Sequence, residues 1–104
     1  MGIDVAWVDE RHEQKQFVSD SKQVLTRLAT SRWPKLTSSV CLRFVVPWGD
    51  AVFNQAQNSD LLNELSSEFR EAQDPQVRHH LQKVIRLVEL AGSETHTYIK
   101  FIGD

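Results

Sequence analysis

Two amphipathic helical segments follow each other directly in the second half of the chain, with no strand between them. The first begins at Asn58 or Ser59, and the second begins at Asp74-Pro75, with Asp as the cap and Pro in the first turn. Consecutive helices break a one-for-one alternation of strands and helices, so a doubly wound parallel sheet is disfavoured. Their apolar positions recur at the spacing of a buried helical face: Leu61, Leu62, Leu65 and Phe69, then Val77, Leu81, Val84, Ile85 and Val88.

Several shorter segments have the period-two alternation of β-strands. The predicted strands are 3–8, 14–18, 40–46, 51–56 and 95–102. A short helix is predicted from Ser21 to about Ser31, ended by Trp33-Pro34 because the residue before proline leaves helical dihedrals. The expected fold is α+β: a four- to five-stranded, mainly antiparallel or mixed sheet with about three helices packed on it. The last strand is expected in the centre of that sheet.

The segment Pro47-Trp48-Gly49 is predicted to be the turn of a hairpin that joins strands 40–46 and 51–56. Gly49 is expected in the left-handed region of that turn. Gly92 is expected in the same conformation as the C-cap of the last helix.

Length and charge place broad limits on the class of protein. The chain has 104 residues, a net charge of −2 and one cysteine, which predicts a single domain over 1–104 in a reducing cytoplasm. No segment is apolar enough to span a membrane, and residues 1–10 carry acids where a signal peptide carries bases. The mild negative charge argues against nucleic-acid binding.

No motif of high specificity for catalysis, metal or cofactor binding is present. His79-His80 point about 100° apart on a helix and cannot ligate one metal together, so both are expected on the surface. Cys41 is expected to be a quiet thiol without a base beside it, although His96 is a conceivable cross-strand neighbour. The expectation is therefore a protein that is not an enzyme and has no cofactor or metal, with a shallow Cys41–His96 site as a third alternative.

The middle helix carries a stripe of acids, which can be either a solvated face or a docking surface for a basic partner. The acids Asp60, Glu64, Glu68 and Glu71 fall along one helical face. Like charges at this spacing repel by a few tenths of a kcal/mol per pair, so the stripe has a small cost. An acidic face also steers a basic partner over roughly a Debye length. We take these four residues as candidate partner-binding residues.

Trp48 and Asp50 complete the candidate surface. Trp48 can either fold back over the core as a lid or remain exposed, and exposed tryptophan is enriched at binding hot spots. Asp50 can be a turn residue that accepts backbone N–H groups, or a contact for a partner. Trp7 and Trp33 are better candidates for the core.

The segments "PWGDAVFNQAQ…LLNEL" (Pro47–Leu65) and "HTYIKFIGD" (His96–Asp104) resemble small bacterial immunity-type proteins paired with contact-dependent or polymorphic toxins. The resemblance covers about a third of the chain. It implies a cytoplasmic protein that binds one cognate toxin domain and blocks it. Basic nucleases are one class of such toxins and would suit an acidic surface.

Two functions are therefore expected from the sequence. The first is a non-enzymatic immunity protein that binds its toxin through Trp48, Asp50 and the acidic face. The alternative is a small homodimeric regulatory or assembly protein, which an apolar interface would favour. Neither expectation includes binding to nucleic acid or to a membrane.

Overall fold

The protein folds as a four-stranded antiparallel sheet with helices on one face, and a computed structural model describes its residues 2–103. The strands are β1 (Asp4–Asp9), β2 (Gln14–Val18), β3 (Asp50–Phe53) and β4 (Thr97–Ile102). The helices are α1 (Val24–Ser31), α2 (Asn58–Glu71) and α3 (Pro75–Gly92). The strand order is β2-β1-β4-β3, and the predicted α+β class is confirmed.

The first and last strands pair at the centre of the sheet. Val5 lies opposite Phe101 and Trp7 opposite Ile99. These four side chains are buried and face the helices, whereas alternate residues of β4 such as Lys100 face the other way and are half-buried. The predicted alternation and central position of the last strand are both confirmed.

The core lies between this face of the sheet and the helices. α3 contacts β1, β2 and β4, and α2 packs along α3. Trp33 is fully buried and Trp7 nearly so, as predicted. Five residues of the predicted stripes are fully buried: Leu61 and Leu65 on α2, and Leu81, Val84 and Val88 on α3. The other predicted stripe residues are only partly buried, and α3 also buries Leu87 and Ala91, which the stripe did not include.

Asp20 ties the start of α1 to β1. Its buried carboxylate accepts hydrogen bonds from the backbone N–H groups of Val24 (2.7 Å) and Leu25 (3.1 Å), and from that of Ile3 (2.9 Å). A helix start leaves such N–H groups without partners, so a carboxylate placed here fixes the first turn. α1 consequently begins at Val24, three residues after the predicted start at Ser21.

The predicted strand 40–46 and its hairpin are wrong. The segment contains a short 3-10 turn at Leu42–Phe44, and β3 pairs with β4 instead. Buried side chains occur at Cys41, Leu42 and Val45. This i, i+1, i+4 spacing is that of a helical turn. The segment therefore does not form the strand that the alternating pattern of residues 40–46 predicted.

The predicted left-handed glycines are also wrong. Neither Gly49 nor Gly92 has a positive φ. Gly92 is the last residue of α3, and a Cβ there would lie 2.8 Å from the Oδ1 of Asn58. Asn58 itself donates to the carbonyl of Val88, so Gly92 allows the start of α2 to approach the end of α3.

His80 is buried, contrary to the expectation that both adjacent histidines lie on the surface. Its Nε2 lies 3.5 Å from the Oδ1 of Asp20 and makes no hydrogen bond among the described residues. Burial lowers the pKa of His80 below its ordinary value of 6.5, although the Asp20 charge opposes that shift. His79, the next residue along the chain, is exposed.

We expect this buried imidazole to make the protein less stable in mild acid. A histidine with a lowered pKa contributes stability that is present above its unfolded pKa of about 6.5 and is lost as the pH falls toward the folded pKa. The loss is at most about 1.4 kcal/mol per pH unit. Urea unfolding at pH 7.5 and pH 5.5 measures it, and His80→Gln should reduce the difference between the two values. An equal difference in His79→Gln and His80→Gln contradicts the assignment.

Candidate functional site

The connection between α1 and β3 contains the candidate site. After a 3-10 turn at Trp33–Lys35, residues 36–49 (the connecting loop) cross the molecule without forming a strand. Such a segment cannot satisfy its backbone N–H groups with a ladder, so they need other partners. Some of these partners are carbonyls of the loop and its preceding turn, and three N–H groups bond to one side chain of α2.

Glu64 of α2 organises the first part of the connecting loop. Its carboxylate accepts hydrogen bonds from the backbone N–H groups of Val40 (2.9 Å), Cys41 (3.2 Å) and Leu42 (2.9 Å), and from the Ser39 hydroxyl. Burial favours the neutral form of this carboxyl, but these donors outweigh it and lower the pKa of Glu64. The ionised side chain thus fixes the backbone of three consecutive loop residues and the side chain of the residue before them.

Glu68 has a similar internal role one turn further along α2. It is buried and accepts hydrogen bonds from the Arg32 Nε (2.8 Å) and from the indole Nε1 of Trp33 (2.7 Å). Arg32 also forms an ion pair with Glu71, and hydrogen bonding to Glu68 raises the pKa of Arg32. The network holds the end of α1 against α2.

The predicted acidic docking face is therefore divided in two. Glu68 is buried and cannot reach a partner, which corrects the expectation for this residue. Glu64 is half-buried, and its carboxylate bonds to the connecting loop. Glu71 is exposed but paired with Arg32. Asp60 is exposed in the first turn of α2.

Three large apolar side chains of the connecting loop point into solvent instead. Trp48 is 76% exposed, and Val40 and Phe44 are each more than half exposed. The lid over the core considered for Trp48 is therefore wrong. Val40 and Phe44 were not among the candidates, because this segment was predicted to be a β-strand of the sheet. Four residues of extended chain span at most about 14 Å, so neighbouring members of this set lie close to each other.

The turn that carries Trp48 packs tightly against the end of β4. The Gly103 N–H donates to the Gly49 carbonyl (3.0 Å) and to the Asp50 carboxylate (3.2 Å). A Cβ on Gly103 would lie 2.3 Å from that carbonyl, so only glycine permits this approach. Asp50 accepts a backbone N–H as expected of a turn residue, and it also lies 3.8 Å from the Lys100 ammonium.

Cys41 and His96 are not placed as a catalytic pair. Cys41 is fully buried, and burial together with the charges of Glu64 and Asp60 raises the pKa of the thiol to about 11. It is therefore protonated at neutral pH. His96 is exposed just before β4, and its Nδ1 lies 3.9 Å from a carboxylate oxygen of Glu10.

The described residues 2–103 contain neither a metal-binding cluster nor a membrane-spanning helix. No cluster of three or more histidine, cysteine or acidic side chains there could hold a metal ion. None of the helices in this range has both the length and the apolar character needed to cross a membrane.

Comparison with protein-family models, curated proteins and solved structures gave no match.

We expect Glu64→Gln to loosen the connecting loop while α2 and the sheet persist. The amide keeps the shape of the side chain but lacks one acceptor oxygen and the charge, which costs about 2 kcal/mol when charged hydrogen bonds are lost. The measurement is the alkylation rate of Cys41 at pH 8, which should rise because the thiol becomes accessible. Asp60→Asn is the matched control: it removes a nearby charge without removing a bond to the loop. Equal rates in both variants contradict the role of Glu64.

We expect iodide to quench the fluorescence of Trp48 and to leave most emission from Trp7 and Trp33 unaffected, because an ion in water reaches only exposed indoles. Trp48→Phe should remove the quenchable fraction, and steady-state quenching in both proteins measures it. If iodide quenches the emission of the Trp48→Phe variant as strongly as that of the unaltered protein, Trp48 is not the exposed tryptophan.

Proposed function

We propose that this protein is a non-enzymatic protein-binding module, and that it acts in the cytoplasm as an immunity protein that binds and blocks a cognate bacterial toxin domain. The observation that carries the proposal is the exposed Trp48 at the end of a loop that Glu64 holds in place. The toxin would be recognised through this connecting loop and the exposed acids beside it.

The apolar side chains of the loop are suited to a protein interface. Water solvates Val40, Phe44 and Trp48 poorly, and burial against a partner recovers roughly 25 cal/mol for each Å² of apolar surface. Tryptophan is also among the residues most enriched at hot spots. Because Glu64 already orders part of the loop, less conformational entropy remains to be lost on binding.

The remaining exposed acids favour a partner with basic side chains. Asp60 lies close enough to the loop for its charge to raise the pKa of Cys41. Asp50 lies directly after the Trp48 turn and is exposed. These two acids, with Glu71 further along α2, replace the continuous stripe as the electrostatic part of the surface. A basic toxin domain such as a nuclease would meet an aromatic anchor flanked by carboxylates.

The resemblance to immunity-type proteins supports the same surface. Its two segments, Pro47–Leu65 and His96–Asp104, are far apart in sequence. In the fold β3 pairs with β4, and Gly103 bonds to the Trp48 turn. The two segments thus contribute neighbouring strands of the sheet, and the first of them includes the exposed tryptophan.

Trp48→Ala should weaken binding to the toxin domain by roughly 30-fold, the loss of about 2 kcal/mol that defines a hot spot. The partner is obtained by affinity capture from the native host with the unaltered protein as bait, then purified as a separate domain. Titration calorimetry gives its affinity for each variant. Inhibition of its toxic activity by one equivalent of this protein tests immunity.

Phe17→Ala is the matched control, since Phe17 is another exposed aromatic residue but lies on β2, outside the connecting loop. It should change the affinity for the toxin less than twofold. A toxin that binds Trp48→Ala as tightly as the unaltered protein shows that the loop is the wrong surface. A captured partner whose activity is unaffected by stoichiometric binding argues against immunity.

The homodimeric alternative is favoured by one observation. The sheet face that points away from the core carries a row of residues across all four strands, in the order Phe17, Ala6, Lys100 and Val52. The two ends of this row, Phe17 and Val52, are exposed. Two such faces could pack against each other, as in a β-sandwich. Sedimentation at micromolar concentration separates the two proposals. A monomer contradicts the homodimer and is compatible with the immunity protein.

A further inference from the structure

A groove between β2 and α3 lies away from the connecting loop. Its volume is about 250 Å³. One wall is the β2 backbone at Gln16–Val18, and the other is a single face of α3 with spacing i, i+3, i+4, i+7. That face presents, in order, Lys83, Arg86, Leu87 and Leu90.

The β2 wall of the groove is an open sheet edge. β2 is the outermost strand, and among the described residues its backbone groups hydrogen-bond only to β1. The register irregularity lies between Gln14 and Gln16, opposite Trp7 and Val8 of β1, which leaves Gln16–Val18 as the regular part of the edge. Unpaired N–H and C=O groups on such an edge are a template for another strand.

The α3 wall offers both apolar and basic contacts. Leu87 is buried at the base of the groove, and Leu90 is about two-fifths exposed at its side. Lys83 and Arg86 are exposed, and within residues 2–103 neither side chain forms an ion pair. These two cations are therefore free to bind carboxylates of a ligand.

We propose that this groove binds an extended peptide segment of another protein. In that segment, every second residue is acidic or apolar. The segment adds to β2 as a fifth strand through main-chain hydrogen bonds. Every second side chain then points toward α3, where apolar residues contact Leu87 and Leu90 and acids pair with Lys83 and Arg86. The other side chains lie beside the exposed Phe17, as cross-strand neighbours do.

A second copy of this chain fits the same edge poorly. Two-fold pairing of β2 with β2 would bring Lys83 and Arg86 of both copies to one junction, where like charges repel. The chemistry of the groove thus selects an acidic partner. The proposal does not depend on the proposed function, since the groove shares no residue with the connecting loop.

The test uses a displayed library of random twelve-residue peptides selected against the immobilised protein. In the selected peptides, every second residue should be acidic or apolar. A synthetic peptide of the selected sequence should bind at least about tenfold more weakly to Lys83→Glu/Arg86→Glu, measured by fluorescence anisotropy, since two ion pairs are lost and the new carboxylates repel the acids of the peptide. N-methylation of alternate peptide nitrogens should abolish binding, because it removes the donors that face β2.

The matched control is Lys22→Glu/Arg70→Glu, which makes the same change in net charge at exposed bases outside the groove. It should alter the affinity less than threefold. Amide chemical shifts of the unaltered protein locate the bound peptide without any variant, and they should change at Gln16–Val18 and along α3. The proposal is overturned if no peptide is enriched, if both double variants lose affinity equally, or if the shifts change around Trp48 instead.

Discussion

Two carboxylates on α2 hold the irregular part of the chain against the rest of the molecule. Glu64 binds the backbone of the connecting loop at Val40, Cys41 and Leu42, and Glu68 binds Arg32 and the buried Trp33. A loop of this length leaves many N–H groups to be satisfied, and a charged acceptor satisfies several at once. Without these two residues, the segment between α1 and β3 would have few fixed points.

This anchoring explains how a small domain can display an exposed tryptophan. An apolar side chain on a mobile loop tends to collapse onto the nearest apolar surface. Here the loop is fixed by Glu64 at one end and by the contact between Gly49 and Gly103 at the other. Trp48 is thereby held outward by the same interactions that stabilise the loop.

Much of the fold could be predicted from the sequence, because the strands β1 and β4 and the helices α2 and α3 have strong local periodicity. The connecting loop could not. Val40 to Val46 alternates like a strand, but Glu64, more than 20 positions away, takes up the N–H groups that a ladder would need. Only the cluster of Cys41, Leu42 and Val45 hinted at a helical turn. A long-range acceptor of this kind leaves no local pattern in the sequence.

The candidate site was only partly predictable, because part of it depends on contacts between residues far apart in sequence. Trp48 and Asp50 stand out in sequence because a large indole in a turn has few structural uses. The acids of α2 share one face and one charge, so sequence alone does not separate the internal Glu68 from the exposed Asp60. Their difference comes from Arg32 and Trp33, which reach Glu68 through the tertiary fold. Val40 and Phe44 were missed because their exposure depends on the loop conformation.

The pairing of β1 with β4 also sets the order in which the molecule can assemble during synthesis. As the chain grows, β1 can pair only with β2, and an isolated two-stranded hairpin is marginally stable. β3 has no partner until β4 has been made, and contacts across nearly the whole chain are slow to form. The turn that carries Trp48 is fixed by Gly103, just beyond β4. A newly made chain therefore fixes the outward position of Trp48 in one late step, when the last strand enters the middle of the sheet.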